Sequence, residues 1–278
     1  MKTIGFIDYF LNEWHANEYP AMIEAYNQKK GTDYCVKYAW AEMDIPGGMS
    51  TEEWCNNYGV ERCVSIEELC NKCDYVIVLA PSNPEKHLEY AKRVFACGKS
   101  PYIDKTFAPD YATAKEIYSL AEKYGVKFFS TSALRYSDEL NGYMGTANSI
   151  FTTGGGSNFD EYIIHQIEMA VKCLGVGAEK VCYEKHAEQE WAHVCYADGK
   201  SVKMMFAPCM PFVATVSDSS GTKHLPINSS FFDGLIADIL HFFATGETSF
   251  CACQTLEVMK IREGVIRAKA EAGVWLKL

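Results

Sequence analysis

Residues 74–109 read DYVIVLAPSNPEKHLEYAKRVFACGKSPYIDKTFAP. The run Tyr75-Val-Ile-Val-Leu-Ala80 is apolar and rich in β-branched residues, which suits a strand buried on both faces, as in a parallel sheet. Pro81, Asn83 and Pro84 break that strand. Glu85 to Cys97 reads as a helix with Leu88, Ala91, Val94 and Phe95 on one face, and Gly98 stops it in the left-handed conformation that helix ends favour. Pro101-Tyr-Ile-Asp104 is a second strand. Strand, helix and strand within about thirty residues make a βαβ unit with a right-handed crossover. Lys105 then stands at the carboxyl end of the second strand, where open α/β sheets hold their ligands. Taken by itself, Lys105 reads equally as a solvated loop lysine.

The same alternation extends on both sides. Thr3-Ile-Gly-Phe-Ile7 is a first strand, Trp14 to Lys30 a helix that Gly31 ends, and Tyr34 to Ala41 a second strand. Ser50 with Glu53, and Ser65 with Glu68, carry the spacing of a helix capping box. Pro109 or Asp110 starts a helix to Tyr124 stopped by Gly125, and Val126-Lys-Phe-Phe-Ser130 is a further strand. Alternating strands and helices over residues 1–132 predict a doubly wound parallel sheet, the Rossmann-like α/β architecture.

The chain has 278 residues, 48% hydrophobic and 22% charged, which fits two modest globular domains. A net charge of −10 with no Lys/Arg cluster argues against a nucleic-acid partner. No apolar run is long enough for a membrane span, and the N-terminus enters a strand without a signal-peptide core, so a cytoplasmic location is expected. Twelve cysteines are then read as reduced, small hydrophobic residues. Cys70-x-x-Cys73 has neither a second pair nor a histidine at ligand spacing, and Cys251-x-Cys253 is shorter still, so no metal site is read.

The stretch around Lys105 resembles the glucose-fructose oxidoreductase / inositol dehydrogenase / MocA (Gfo/Idh/MocA) family. It shares a strand, a proline, the histidine His87 at the helix start, Gly98-Lys99 before the next strand, and an acid-lysine pair. In that family the strand ends in Glu-Lys-Pro and the lysine lies in the active site; here the place reads Asp104-Lys105-Thr106. The resemblance runs over nearly the whole chain and implies an NAD or NADP cofactor. It sets Gly5, Asp8, Glu42, Pro81 and Asp104 along the cofactor, Glu42 toward the ribose hydroxyls. It departs at the first turn. A dinucleotide-binding sheet puts glycines after strand one so that the pyrophosphate can approach the backbone. Here Asp8 and Phe10 stand about where the first two should be, and no glycine follows before Gly31. An exposed Asp8 charge 4 Å from a phosphate would cost about 4 kcal/mol at an effective dielectric of 20. Weak dinucleotide binding, with a gain on Asp8→Gly if the turn keeps its shape, is therefore expected unless Asp8 turns away or is neutralised, with Lys2, Lys37 and His15 the nearby candidates.

The second domain, 133–278, opens near Ser132-Ala-Leu-Arg-Tyr-Ser137, where an arginine followed by an aromatic again resembles the family. Gly154-Gly-Gly156 precedes a helix from Phe159 to Leu174 whose apolar stripe is Ile163, Ile167, Ala170, Val171 and Leu174. Glu161, His165, Glu168 and Lys172 share the other face. Without context this is a polar face in water with a Glu168–Lys172 pair. The resemblance makes His165 the general acid/base, Glu161 the neighbour that orients it or the substrate, and Lys105 a donor to the reacting oxygen. The chemistry fits. Oxidising a secondary alcohol requires removal of its hydroxyl proton, and an imidazole can take it.

From Ala178 onward strands are predicted over 181–185, 191–196, 202–207 and 212–217, then helices over 231–244 and 256–270. The result is an α+β domain with an antiparallel sheet. Trp191, Val194, Met204, Phe206 and Phe212 are more apolar material than one face needs. In the family the open sheet face pairs subunits, so a homodimer or homotetramer is expected. The function read is an NAD(P)-dependent oxidoreductase acting on a hydroxyl-bearing small molecule, a sugar or cyclitol derivative. The alternative is a non-catalytic relative that binds a ligand or partner through a degenerate cofactor site.

Overall fold

The computed structural model describes residues Met1–Leu278. The chain forms two compact units, Met1–Thr131 with Leu235–Ser249, and Ser132–Gly234 with Phe250–Leu278. The sequence reading assigned all of 133–278 to the second domain; the difference is one helical segment, returned to the first unit by its aromatic contacts.

The first unit runs β1 (Lys2–Asp8), α1 (Trp14–Lys30), β2 (Tyr34–Ala41), α2 (Thr51–Tyr58), β3 (Glu61–Arg62), α3 (Ile66–Lys72), β4 (Tyr75–Val78), α4 (His87–Ala96), β5 (Tyr102–Ile103) and α5 (Tyr111–Tyr124). Its five strands are parallel, in the order β3-β2-β1-β4-β5. Local chemistry explains the boundaries. Ser50 and Glu53 close a full capping box, Asp110 caps α5 by accepting from Thr113 N, and Gly31 and Gly125 take left-handed φ values of 68° and 67°, conformations that cost other residues. The strand expected at 126–130 shrinks to a single bridge between Phe129 and Tyr102. Phe128 packs instead among the rings of Phe95, Phe107 and Tyr118.

Gly5 lies within β1, where an added Cβ would stand 2.4 Å from Leu69 Cδ2 and 3.0 Å from Cys73 Sγ. Its missing side chain lets α3 close on the sheet, a packing duty for a glycine expected along the cofactor.

The second unit contains β6 (Ser149–Gly154), α6 (Phe159–Leu174), β7 (Ala178–His186), β8 (Gln189–Tyr196), β9 (Ser201–Phe206), β10 (Val213–Asp218) and β11 (Gly221–Pro226). Helix α7 (Phe231–Thr245) passes into the first unit, and α8 (Ala252–Ala268) with β12 (Leu276–Lys277) completes the second. The seven-stranded sheet has the order β11-β10-β6-β9-β8-β7-β12. It is mixed, because β6 and β9 are parallel while the other pairs are antiparallel. The sequence reading missed β6, whose inward Thr152 hides the alternation; its hydroxyl donates to Gln166 Oε1 at 2.7 Å.

Val194, Met204 and Phe206 are buried, on the inner side where Phe206 meets Phe159 of α6 edge to face. Only Trp191 of the strand residues expected to crowd the open face lies there, joined by Phe151 stacked on it at 6.2 Å and by its register partner Met205. The cysteines are not all reduced: Cys251 and Cys253 form a disulfide and the other ten are free thiols. No group of His, Cys, Asp or Glu is arranged to hold a metal, and no helix is long and apolar enough to cross a membrane.

Candidate functional site

In the first unit the predicted residues gather at the carboxyl ends of β1, β2, β4 and β5. Asp8 ends β1 and is fully buried. Its Oδ1 accepts from Tyr9 N at 2.7 Å and from Ala80 N at 3.0 Å, while Oδ2 is buried without a partner. Burial and the nearby charges of Glu13 and Asp104 raise its pKa well above the ordinary value, against the pull of the two amides. A carboxyl so placed favours its uncharged form. Ala80 bends the chain with φ 57°, and Pro81 behind it is buried.

Asp104 follows β5 and is 1% exposed. Its Oδ1 accepts from the Tyr102 hydroxyl at 3.0 Å and from Lys105 N at 2.9 Å, and its Oδ2 pairs with His15 Nδ1 on the first turn of α1. Burial pushes the Asp104 carboxyl up, but the His15 charge and hydrogen bond and the Lys105 charge and amide outweigh it, leaving the pKa below the ordinary value. Both oxygens are thus engaged inside the unit, which makes Asp104 an internal anchor at the place where a cofactor contact is expected. Lys105 itself is 8% exposed, not a solvated loop lysine. His87 is buried between Phe107 O at 2.9 Å and Leu79 O at 2.5 Å.

Glu42, just past β2, receives Lys86 Nζ at 2.5 Å and the Tyr90 hydroxyl at 2.6 Å. Partial burial raises its pKa, but the bonds from Lys86 and Tyr90 and the charges of Lys86 and Arg93 bring it below the ordinary value. These residues fit a nicotinamide dinucleotide. The charge expected to repel its phosphates is turned inward and suppressed by burial, an ionised carboxylate stands at the end of β2, and α1 begins directly after the β1 turn. None of the three sequence candidates neutralises Asp8 by pairing with it: His15 holds Asp104 and Lys2 holds the Tyr34 hydroxyl at 3.3 Å.

In the second unit, Gly155 lets the turn before α6 lie against the 207–210 loop; a Cβ there would be 2.6 Å from Met210 N. Asn158 caps α6, accepting from Glu161 N at 2.9 Å, and its amide donates to Glu161 Oε2 at 3.1 Å. His165 stands one turn further, between the rings of Tyr162 at 5.5 Å and Phe212 at 5.9 Å. Its Nδ1 is 2.6 Å from the Ser132 hydroxyl. The remaining face is not solvated. Glu168 is 2% exposed and pairs with Arg135, 4% exposed, at 2.7 Å, not with Lys172. Lys172 donates to Asn141 Oδ1 at 2.7 Å and Ser137 O at 3.3 Å, and burial lowers its pKa to about 8. Glu168 Oε1 also takes Ser132 N at 3.2 Å, and Arg135 Nη1 reaches Gln254 Oε1 at 2.6 Å. Sequence reasoning missed Ser132 as a site neighbour, and set His15 beside Asp8 rather than Asp104. Each meets its partner from a distant part of the chain, and no local spacing signals that.

Residues 44–132 match the model of the oxidoreductase family with an NAD-binding Rossmann fold, Gfo/Idh/MocA; the match begins after the divergent first turn. An uncharacterized oxidoreductase of Escherichia coli K12, YhhX, is 36% identical over 61 residues, 22% of this chain and 18% of that protein. The fold as a whole is shared with myo-inositol dehydrogenase from Lactobacillus casei, solved with NAD(H) and myo-inositol. That similarity has a TM-score of 0.81 at 11% identity, covering 100% of this chain and 96% of the other. It is shared also with a UDP-N-acetylglucosamine 3-dehydrogenase from Acidithiobacillus ferrooxidans, at TM-score 0.74 and 13% identity over 96% and 97% of the two chains. At these identities the two structures speak for the fold alone. The family likeness read around Lys105 thus has a match over 44–132, within a two-unit fold that the chain shares end to end with the myo-inositol dehydrogenase.

Proposed function

We propose that the protein is an NAD(P)-dependent oxidoreductase that moves a hydride to or from a hydroxyl-bearing small molecule, of the sugar or cyclitol class. The observation that carries this reading is Lys105, sequestered at the carboxyl end of β5 beside an ionised Asp104. The cofactor would lie over the amino end of α1 and the Pro81 loop, with Glu42 toward its ribose hydroxyls; that carboxylate favours the unphosphorylated ribose of NAD. When bound, the cofactor supplies the hydride acceptor or donor. The protein does the rest. His165 takes the hydroxyl proton as the C–O bond becomes a carbonyl, the Lys105 ammonium stabilises charge on the oxygen, and Glu161 binds a further substrate hydroxyl. The inositol dehydrogenase and sugar-nucleotide dehydrogenase among the structural relatives support this substrate class.

The open face of the β6–β10 sheet, with Phe151, Trp191 and Met205, is the surface we assign to a homodimer or homotetramer. It carries a hollow of about 360 Å³ near Trp191, His193 and Trp275, which a partner's side chains would fill.

One observation favours a second reading, ligand binding without turnover: the turn after β1 has no glycine, and Leu11 within it is buried. Calorimetric titration with NAD and NADP, followed by a turnover screen over cyclitols, sugars and sugar nucleotides, separates the two. The oxidoreductase reading expects dinucleotide binding and turnover, and a fall in kcat of roughly 10²-fold or more for Lys105→Ala and for His165→Ala. Absence of dinucleotide binding would move the assignment to the non-catalytic reading.

A further inference from the structure

Ser132 is buried at the start of a 3-10 turn over Ala133–Tyr136. Its backbone is fixed apart from its hydroxyl, because Ser132 N donates to Glu168 Oε1 and Glu168 is held in turn by Arg135. Arg135 is secured by Gln254 and by the ring of Phe250, 4.2 Å from its guanidinium carbon. The hydroxyl is therefore presented to His165 Nδ1 from a rigid base, at 2.6 Å. Tyr162 and Phe212 flank the imidazole and limit its rotation about χ2. Glu161, the neighbour suggested by sequence, accepts from the Asn158 amide and the Ser157 hydroxyl.

The geometry points to Ser132 as the positioning residue of His165: its oxygen accepts the Nδ1 proton of the neutral ring, which leaves Nε2 as the atom that takes a proton from the substrate. This rests on the reading of His165 as the proton acceptor. A serine oxygen has two lone pairs. Leu134 N–H donates to this oxygen at 3.3 Å, and Nδ1–H reaches it at 2.6 Å. The same acceptor serves the imidazolium after Nε2 has been protonated, so the ring need not move during the transfer. A ring with the opposite tautomer would turn an N–H toward the substrate oxygen and could not act as its base.

The test is ¹⁵N NMR of the His165 ring across pH, assigned with His165→Asn, in the wild type, Ser132→Ala and Ser132→Thr. In the neutral wild-type ring Nδ1 is expected at the protonated shift and Nε2 at the unprotonated shift. Ser132→Ala should draw the two shifts together as the tautomers mix, and Ser132→Thr should restore their separation. A protonated Nε2 in the wild type, or unchanged shifts in Ser132→Ala, overturns the assignment. Should Ser132→Ala fail to fold, Ser132→Cys has similar size, is a poor hydrogen-bond partner and answers the same question. With a turned-over substrate, Ser132→Ala should lower kcat roughly tenfold or more, the scale expected for a misoriented group, with little change in KM. The reading of His165 fails separately, through a His165→Asn variant with wild-type kcat; the ring nitrogens still decide for Ser132.

Discussion

Asp8 and Ala80, at the ends of the adjacent parallel strands β1 and β4, are joined by a hydrogen bond from Ala80 N to Asp8 Oδ1 at 3.0 Å. The acid that replaces a fingerprint glycine is thus tied into the sheet rather than aimed at a ligand. Asp8→Gly is accordingly expected to give no gain in dinucleotide affinity, which calorimetry on both proteins checks. A clear gain would mean that the carboxylate does face the phosphates.

The raised Asp8 pKa also has a sign for stability. The unfolded chain loses this proton near pH 4, while the folded protein keeps it to higher pH. The contribution is whole below the unfolded pKa and falls as pH climbs toward the folded one, by up to about 1.4 kcal/mol per pH unit. Asp8→Asn, neutral at every pH, should gain on the wild type as pH rises above the range in which the unfolded carboxyl ionises, in denaturant titrations. A constant difference between the two over that rise would show that Asp8 ionises normally in the fold.

The buried Arg135–Glu168 pair should respond unequally to single and double replacement. Glu168→Gln leaves a buried guanidinium without its counter-charge and is expected to lose about 3–5 kcal/mol. Arg135→Met with Glu168→Met removes both charges and should lose less than the sum of the singles. A double-mutant cycle read by chemical denaturation checks this; simple additivity would remove the coupling.

Gly5→Ala places a methyl 2.4 Å from Leu69 Cδ2, and a loss of about 1–3 kcal/mol is expected from overpacking. Leu69→Ala in the same chain should recover part of that cost, since the neighbour that clashes is gone. Full stability in Gly5→Ala alone would mean that α3 shifts freely.

Assembly through the open sheet face predicts that Trp191→Asp, a charge placed next to Phe151, lowers the mass seen by light scattering to that of one chain of 31.2 kDa. A wild type that is already monomeric at micromolar concentration would exclude this face as a subunit contact.

Much of the fold was legible. The βαβ stretch around Lys105, the capping serines and the stop glycines are local signals, and the helix over Phe159–Leu174 was read to the residue. What the sequence hid is tertiary. β6 carries an inward threonine satisfied by Gln166, so its alternation reads as polar. The polar stripe of α6 looked solvated because Arg135, which buries Glu168, lies on a separate turn of chain. At the candidate site, Lys105 and His165 came from family likeness and Glu42 from its place after β2. Nothing nearby in sequence shows that the Asp104 carboxylate is taken by His15 or that the strand glycine Gly5 faces Leu69.

The return of Leu235–Ser249 to the first unit bears on how this protein is made. Phe243 stacks on Tyr75 at 4.7 Å, Phe242 meets Phe129 at 5.2 Å, and the Tyr34 hydroxyl reaches Leu240 O at 3.4 Å. A ribosome that has released only the first 131 residues holds a sheet whose aromatic side is still uncovered. Synthesis must run past residue 249 before that surface closes, so the amino-terminal unit is the first begun and cannot be the first finished. The nascent chain then carries a sticky face through roughly the time needed to add another hundred residues, ~5–20 s at ordinary elongation rates. During that interval it is a natural client for a chaperone that binds exposed aromatic surface.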